Sequence, residues 1–261
     1  MPATFAEALD IVTRVLARDL ACSEDGLRQE GVVLTEAREL PGRRQFPFHT
    51  PSFLMATMGR GTVISCNRER LENVRAIAEG FTAPDLFSTS GLWLFQESVM
   101  PDGQLLLGPQ VKHICIESSL IRGETAPGYD IKHIDRSGLP MLHALVGFPH
   151  AMTRNLDGPR PDEMAMVALH KGEIVGVAGV TGDCDELWQL GIEISPQHQG
   201  RGLAKVLVSR LAEILLGLGK IPYYSTELGN IRSSALATSI GFRPAWVEVF
   251  TNTERTFVTE E

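Results

Sequence analysis

The chain has 261 residues, of which 43% are hydrophobic and 21% charged, enough for one large domain or two modest ones with a real core. With 32 acidic residues against 24 Lys and Arg, the net charge is −8. No basic footprint for nucleic acid is present, and any phosphate site has to be built locally. Cys22, Cys66, Cys115 and Cys184 are widely spaced with no CxxC pair. They read as free thiols in a reducing compartment, with no zinc site or other metal expected. Glu7, Asp10, Arg14, Arg18 and Asp19 interrupt the first 20 residues, which is unlike a signal peptide. No apolar run approaches the ~18 residues that suggest a membrane span. A cytoplasmic protein without a membrane partner is the expectation.

In chain order, Phe5, Leu9, Val12, Leu16 and their neighbours recur at helical spacing and predict an amphipathic helix over Met1–Ala21. Glu30–Pro41 reads as a strand and turn, and Arg43–Pro51 as a loop broken by Pro47 and Pro51. Ser52–Cys66 is β-like around a turn at Gly59-Arg60-Gly61. Helices are predicted over Arg68–Phe81 and near Leu86–Met100, and a strand over Val111–Glu117. Phe46, Phe48 and His49 are candidates to line a substrate cleft, although buried aromatics are the commoner explanation. The polar Ser118–Gly128 stretch is the best candidate for a domain boundary, dividing 1–125 from 126–261. The first domain reads as α/β or α+β and carries no chemical motif.

From Tyr129 onward the pattern is β-α-β-β-β-α-β-α-β, an α/β layout. Tyr129–Ile134 reads as a strand, Gly138–Gly147 as a short helix and Thr153–Asp162 as a loop. Met164–His170 and Glu173–Val180 form a hairpin about Lys171-Gly172. After the turn Thr181–Asp185 comes a strand at Leu187–Ile194. The stripe Leu203, Leu207, Leu211, Ile214, Leu215 and Leu218 then predicts a helix over Gln199–Gly219. Tyr223–Glu227, Ile231–Ile240 and Ala245–Thr251 read as strand, helix and strand, with Gly241 closing the helix.

The most informative stretch is Ile192–Ala204. A strand ends at Ile194, Pro196 stops it, and a turn with Gly200 and Gly202 opens into the amphipathic helix. The first four N–H groups of a helix lack internal partners, and the helix dipole adds partial positive charge there. Glycines let the backbone approach a ligand, so such a turn can grip phosphate without net basic charge. Two glycines before a helix also fit a plain helix-entry turn. Neither a Gly-Lys-Ser/Thr run nor GxGxxG is present, so nucleotide loops of those kinds are unsupported.

Gln199-Gly200-Arg201-Gly202-Leu203-Ala204 resembles the Q/R-x-x-G-x-G/A motif of the GNAT acyltransferase superfamily. Asn230-Ile-Arg-Ser-Ser-Ala-Leu-Ala-Thr-Ser-Ile-Gly-Phe242 is similar to that family's second signature, at the right distance. The resemblance covers about Tyr129–Thr251. It implies a mixed, mostly antiparallel sheet flanked by helices. It also implies that acetyl-coenzyme A is bound as acyl donor by the backbone of Gln199, Gly200, Arg201, Gly202, Leu203 and Ala204. The Ile192 and Ile194 edge would hold the pantetheine arm, with further contacts from Asn230 and Ser233. Asn230 also suits a helix N-cap, and both roles are compatible. The first domain is similar to the extra N-terminal region of two-domain bacterial members, which suggests shaping of the acceptor site or homodimerisation.

One departure stands out. Many members carry a tyrosine that protonates the departing thiolate after the second motif's leucine, whereas Ala237 follows Leu236 here. Tyr223 and Tyr224 on the preceding strand are substitutes, against a plain role in sheet-edge packing; Ser239 is a poorer one. An amine with a pKa of ~10.4 must lose a proton before attack. Glu193 is the first candidate base, against a solvated or ion-paired role, followed by His198, against a solvated loop position. Asp183, Asp185 and Glu186 read as solvated turn residues. The resemblance assigns the oxyanion donor to the backbone N–H of Ile194. The implied activity is acetyl transfer to a small-molecule amine. The alternatives are a non-catalytic acyl-coenzyme A sensor or scaffold, and a protein N-acetyltransferase.

Overall fold

The computed structural model describes residues 2–46, 51–145 and 147–252. Phe48 and His49, two of the candidate cleft aromatics, lie outside the described residues. In chain order the elements are α1 (Phe5–Asp19), α2 (Glu24–Arg28), β1 (Gly31–Glu36), β2 (Phe53–Thr57), β3 (Gly61–Cys66), α3 (Leu71–Ala78), α4 (Thr89–Val99) and β4 (Leu105–Ile114). There follow β5 (Asp130–Ile134), α5 (Leu139–His143), β6 (Asp162–His170), β7 (Glu173–Gly182), β8 (Leu187–Ile194), α6 (Leu203–Gly217), β9 (Ile221–Glu227), α7 (Ile231–Ser239) and β10 (Arg243–Asn252). The described residues gather into two compact units, 2–11 with 112–244 and 12–111 with 245–252.

In the unit of residues 12–111 and 245–252, the strand order is β1-β3-β2-β10-β4. β1 is parallel to β3, while β2 runs antiparallel to β3 and to β10. The hairpin about Gly59-Arg60-Gly61 forms as the sequence predicts. Phe53, Met55, Ile64, Val74, Phe95 and Val249 are fully buried together between this sheet and α3 and α4. Phe46 packs against Phe250 with ring centroids 5.4 Å apart and the rings tilted by 58°, so it belongs to the packing. The same unit encloses a charge cluster. Arg44 Nε donates to Asp19 Oδ2 at 2.6 Å and its Nη2 to Glu248 Oε2 at 2.7 Å, all three side chains being buried.

The unit of residues 2–11 and 112–244 carries the strand order β9-β8-β7-β6-β5, antiparallel throughout except for the parallel pair β8/β9. This is the expected mixed, mostly antiparallel sheet flanked by helices. The β6–β7 turn has both central residues in the left-handed region, Lys171 at φ 52° and Gly172 at φ 86°, as a two-residue type I′ hairpin requires. One face packs on α6 through Leu190, Ile194, Leu203, Leu207 and Leu211. The other face packs on α5 and the segment after it, through Leu139, Leu142, Ala151, Val167 and Val177.

Several elements differ from the sequence reading; α5, for one, ends at His143 rather than Gly147. α2 is too short to show helical periodicity. β4 spans Leu105–Ile114 rather than Val111–Glu117, because the strand passes through Gly108-Pro109, a pair that reads as a turn signal. α6 starts at Leu203 rather than Gln199: Pro196–His198 form a short 3-10 turn, and Gly200 and Gly202 adopt φ of 74° and 78°, which no helix continues.

Candidate functional site

β8 and β9 pair over only four residues, from Leu187 with Ile221 to Leu190 with Tyr224. β8 remains paired to β7 as far as Ile194 with Gly176. Beyond Leu190 and Tyr224 the two parallel strands therefore part. Ser195 N–H donates to Val175 O on β7 at 2.9 Å. Alternate residues of a strand turn their N–H groups to opposite edges, so Ile192 and Ile194 present theirs to the opening.

Contacts flank the gap on each side. The segment around His150 and Ala151 lies directly on β8. A Cβ built at Gly191 would fall 2.6 Å from His150 O and 2.8 Å from Ala151 O, so any side chain there forces main-chain atoms to move. His150 N–H donates to Glu193 Oε2 at 2.9 Å. On β9, the first residue past the last pair, Ser225, receives Lys112 Nζ at 2.8 Å.

A cleft of about 570 Å³ opens from this gap along the start of α6, within the usual size range of small-molecule sites. Ile192, Glu193, Ile194, Gln199, Gly200, Gly202, Leu203, Ala204 and Ser233 of the sequence-selected residues line it. Gln199 Nε2 donates back to Ile194 O at 3.1 Å, closing the turn onto the strand. Built Cβ atoms at Gly200 and Gly202 meet no protein atom, so these glycines serve the left-handed backbone and keep the turn open. Arg201 and Asn230 are not among the lining residues. Arg201 is exposed, and Asn230 caps α7 by accepting Ser233 N–H at 3.1 Å.

Tyr224, weighed in the sequence only as a substitute acid, reaches the cleft at its closed end. Its hydroxyl lies 3.3 Å from Ser233 Oγ, and burial pushes its pKa above the ordinary phenol value, a rise the Ser233 hydrogen bond opposes. Ala237, at the family's tyrosine position, is fully buried. Glu193 shares a face with Val177, its register partner, so its carboxylate lies on the face opposite Tyr224. His198 also lines the cleft, with Nδ1 2.9 Å from Tyr129 OH.

Two sequence readings are corrected. Asp183 is buried: its Oδ1 accepts from Arg160 Nε and from Thr181 Oγ1, both at 2.7 Å, and Tyr223 OH donates to its Oδ2. Tyr223 accordingly lies in a buried polar network rather than at a sheet edge, 2.8 Å from Gln189 Oε1. Lys205 and Arg232, which the motifs do not mark, and Leu236, the second motif's leucine, also line the cleft. No cluster of three or more His, Cys, Asp or Glu among the described residues is placed to hold a metal. No helix among them is long and apolar enough to cross a membrane.

These features give a cleft with free backbone N–H groups along one strand edge and a glycine turn at a helix start. Residues 131–242 match the family model described as the acetyltransferase (GNAT) family, and they form a GNAT acetyltransferase domain in the C-terminal part of the chain. Among solved structures, the chain is similar to a GNAT-family acetyltransferase from Novosphingobium aromaticivorans, at 18% identity and TM-score 0.45, over 57% of this chain and 66% of that one. It is also similar to a GCN5-related N-acetyltransferase from Kribbella flavida, at 13% identity and TM-score 0.44, over 61% of this chain and 64% of that one. These matches span just under two thirds of the two similar proteins, 66% and 64%, and 57% and 61% of this chain. A GCN5-related N-acetyltransferase-like protein from Streptococcus suis matches at 14% identity and TM-score 0.49, over 95% of this chain and all of that one. No curated protein matches the sequence.

Proposed function

We propose that the protein transfers an acetyl group from acetyl-coenzyme A to the amine of a small molecule. The observation that carries this reading is the parting of β8 from β9 beyond Leu190 and Tyr224, with the Gln199–Ala204 turn in the same cleft. A pantetheine arm can pair with the free N–H edge at Ile192 and Ile194 as an added strand would. The unpaired N–H groups at the start of α6 suit a diphosphate, which explains binding of a polyanion by a chain of net charge −8. When bound, the thioester supplies the activated acyl group.

The chain's own residues then divide the work. Glu193, its Oε2 held by His150, has Oε1 left to take the proton from an ammonium on the acceptor face. The Ile194 N–H, with that of Ile192 nearer the closed end, faces the charge that develops on the carbonyl oxygen. Tyr224, kept protonated by burial, delivers a proton to the departing sulfur from the opposite face. The four free cysteines suit a reducing compartment such as the cytoplasm.

A second reading, a non-catalytic sensor of acyl-coenzyme A, is favoured by the buried Ala237 at the family's tyrosine position. Calorimetry with acetyl-coenzyme A, followed by a free-thiol assay over small amines and peptides, separates the two. Thiol release with a small amine is the expected result. Binding without release on any amine overturns transfer in favour of the sensor, and release on peptides alone reassigns the acceptor.

A further inference from the structure

Most cations whose partners are seen in this acidic chain sit against a carboxylate. Arg122 pairs with Glu213, Arg136 with Glu163, Arg160 with Asp183, and Arg44 with two acids. Lys205 and Arg232 are different. Both line the cleft, and neither has an ion-pair or hydrogen-bond partner among the described residues. Their neighbours three and four residues away in sequence, Arg201, Gly202, Val208 and Ser209 for Lys205 and Leu228, Gly229, Ala235 and Leu236 for Arg232, carry no carboxylate. The carboxylate among the lining residues, that of Glu193, lies on the other face of the sheet. Two unneutralised cations are thus kept on one cleft in a chain with an excess of acid.

The diphosphate needs neither, because the turn before α6 meets it with neutral backbone donors. Coenzyme A carries one more anionic group, a ribose 3′-phosphate, with about −1.5 to −2 charge at neutral pH as a phosphate monoester. Resting on the coenzyme reading above, we propose that Lys205 and Arg232 form a subsite for that phosphate and make the cleft select coenzyme A over its 3′-dephospho form. Arg232 supplies a planar fork suited to two phosphate oxygens, and Lys205 a mobile point charge.

The test is calorimetry on the full chain with coenzyme A and 3′-dephospho-coenzyme A, in the natural protein and in Lys205→Ala, Arg232→Ala and Lys132→Ala. Lys132 is an exposed cation on β5, outside the cleft, and controls for net charge. The natural protein should bind the dephospho form about tenfold more weakly, the scale of one charge-assisted hydrogen-bonded contact. Each cleft variant should reduce that ratio with dephospho affinity nearly unchanged, while Lys132→Ala keeps it. Equal affinity of the natural protein for the two forms overturns the subsite, as do cleft variants that weaken both forms alike. Binding of neither form by the natural protein is a different failure, because it removes the coenzyme cleft itself.

Discussion

Glu193 and Tyr224 lie on opposite faces of the same sheet, one beyond the last β8–β9 pair and the other within it. That separation suits a reaction in which a proton leaves the attacking amine on one side and another reaches sulfur on the other. Glu193→Gln retains an acceptor for His150 N–H and removes the proposed base. It should lower kcat/KM about 10²-fold at neutral pH, with recovery as the pH approaches the amine's own pKa of ~10.4. An unchanged rate at pH 7 would remove Glu193 from the mechanism. Tyr224→Phe should lower kcat by tenfold or more while leaving coenzyme affinity within about threefold, because general acids act in the transition state. Burial raises the Tyr224 pKa, so the acid stays protonated above the ordinary phenol range. Any alkaline fall in kcat below that range therefore belongs to another group. A kcat indifferent to the Phe substitution would leave the thiolate to depart unaided and strengthen the sensor reading of Ala237.

At the scale of elements, the cleft exists because β8 keeps one neighbour and loses the other, and the segment pressed onto Gly191 helps fix where that happens. Gly191→Ala places a methyl against the carbonyls of His150 and Ala151, main-chain atoms that have to move. The expected cost is about 1–3 kcal/mol, as for other overpacked sites, with each kcal/mol lowering the melting temperature by about 2–4 °C. The displaced segment also carries the His150 donor to Glu193, so turnover should fall more than coenzyme affinity. A variant with unchanged melting temperature and rate would show that the segment does not set the gap. Local signals made much of this architecture legible in the sequence. Pro196, the two glycines and the leucine stripe stand within 23 residues of one another, and each acts on its own neighbourhood. Asp183 was not legible. Three acids in a turn read as solvated, and the Arg160 and Tyr223 that bury this one lie 23 and 40 residues away. Lys205 and Arg232 escaped because they fill unspecified positions of their motifs, where only a missing carboxylate neighbour distinguishes them.

Across the whole molecule, the acid excess is handled in two contrasting ways. At the cleft, Lys205 and Arg232 stand without carboxylate partners among the described residues; in the unit of residues 12–111 and 245–252, Arg44 is buried between Asp19 and Glu248, beneath the rings of Phe46 and Trp246. Burial raises the Asp19 pKa above its ordinary value of 3.8 even though Arg44 pulls it down. The folded chain therefore holds that proton more tightly than the unfolded one. The stabilising contribution of Asp19 protonation is complete below 3.8 and is lost as pH rises through the raised folded value. Two variants expose this balance in urea unfolding. Asp19→Asn removes a costly buried charge and leaves Arg44 paired with Glu248. Its stability relative to the natural chain should be highest at neutral pH and decline as acidification protonates Asp19. Arg44→Met leaves two carboxylates buried without their shared cation and should cost about 3–5 kcal/mol at neutral pH. Part of that loss should return on acidification, because protonation neutralises the carboxylates the arginine no longer faces. A loss in Arg44→Met that stayed constant with pH would trace the effect to the arginine's packing on Phe46 and Trp246, rather than to its charge.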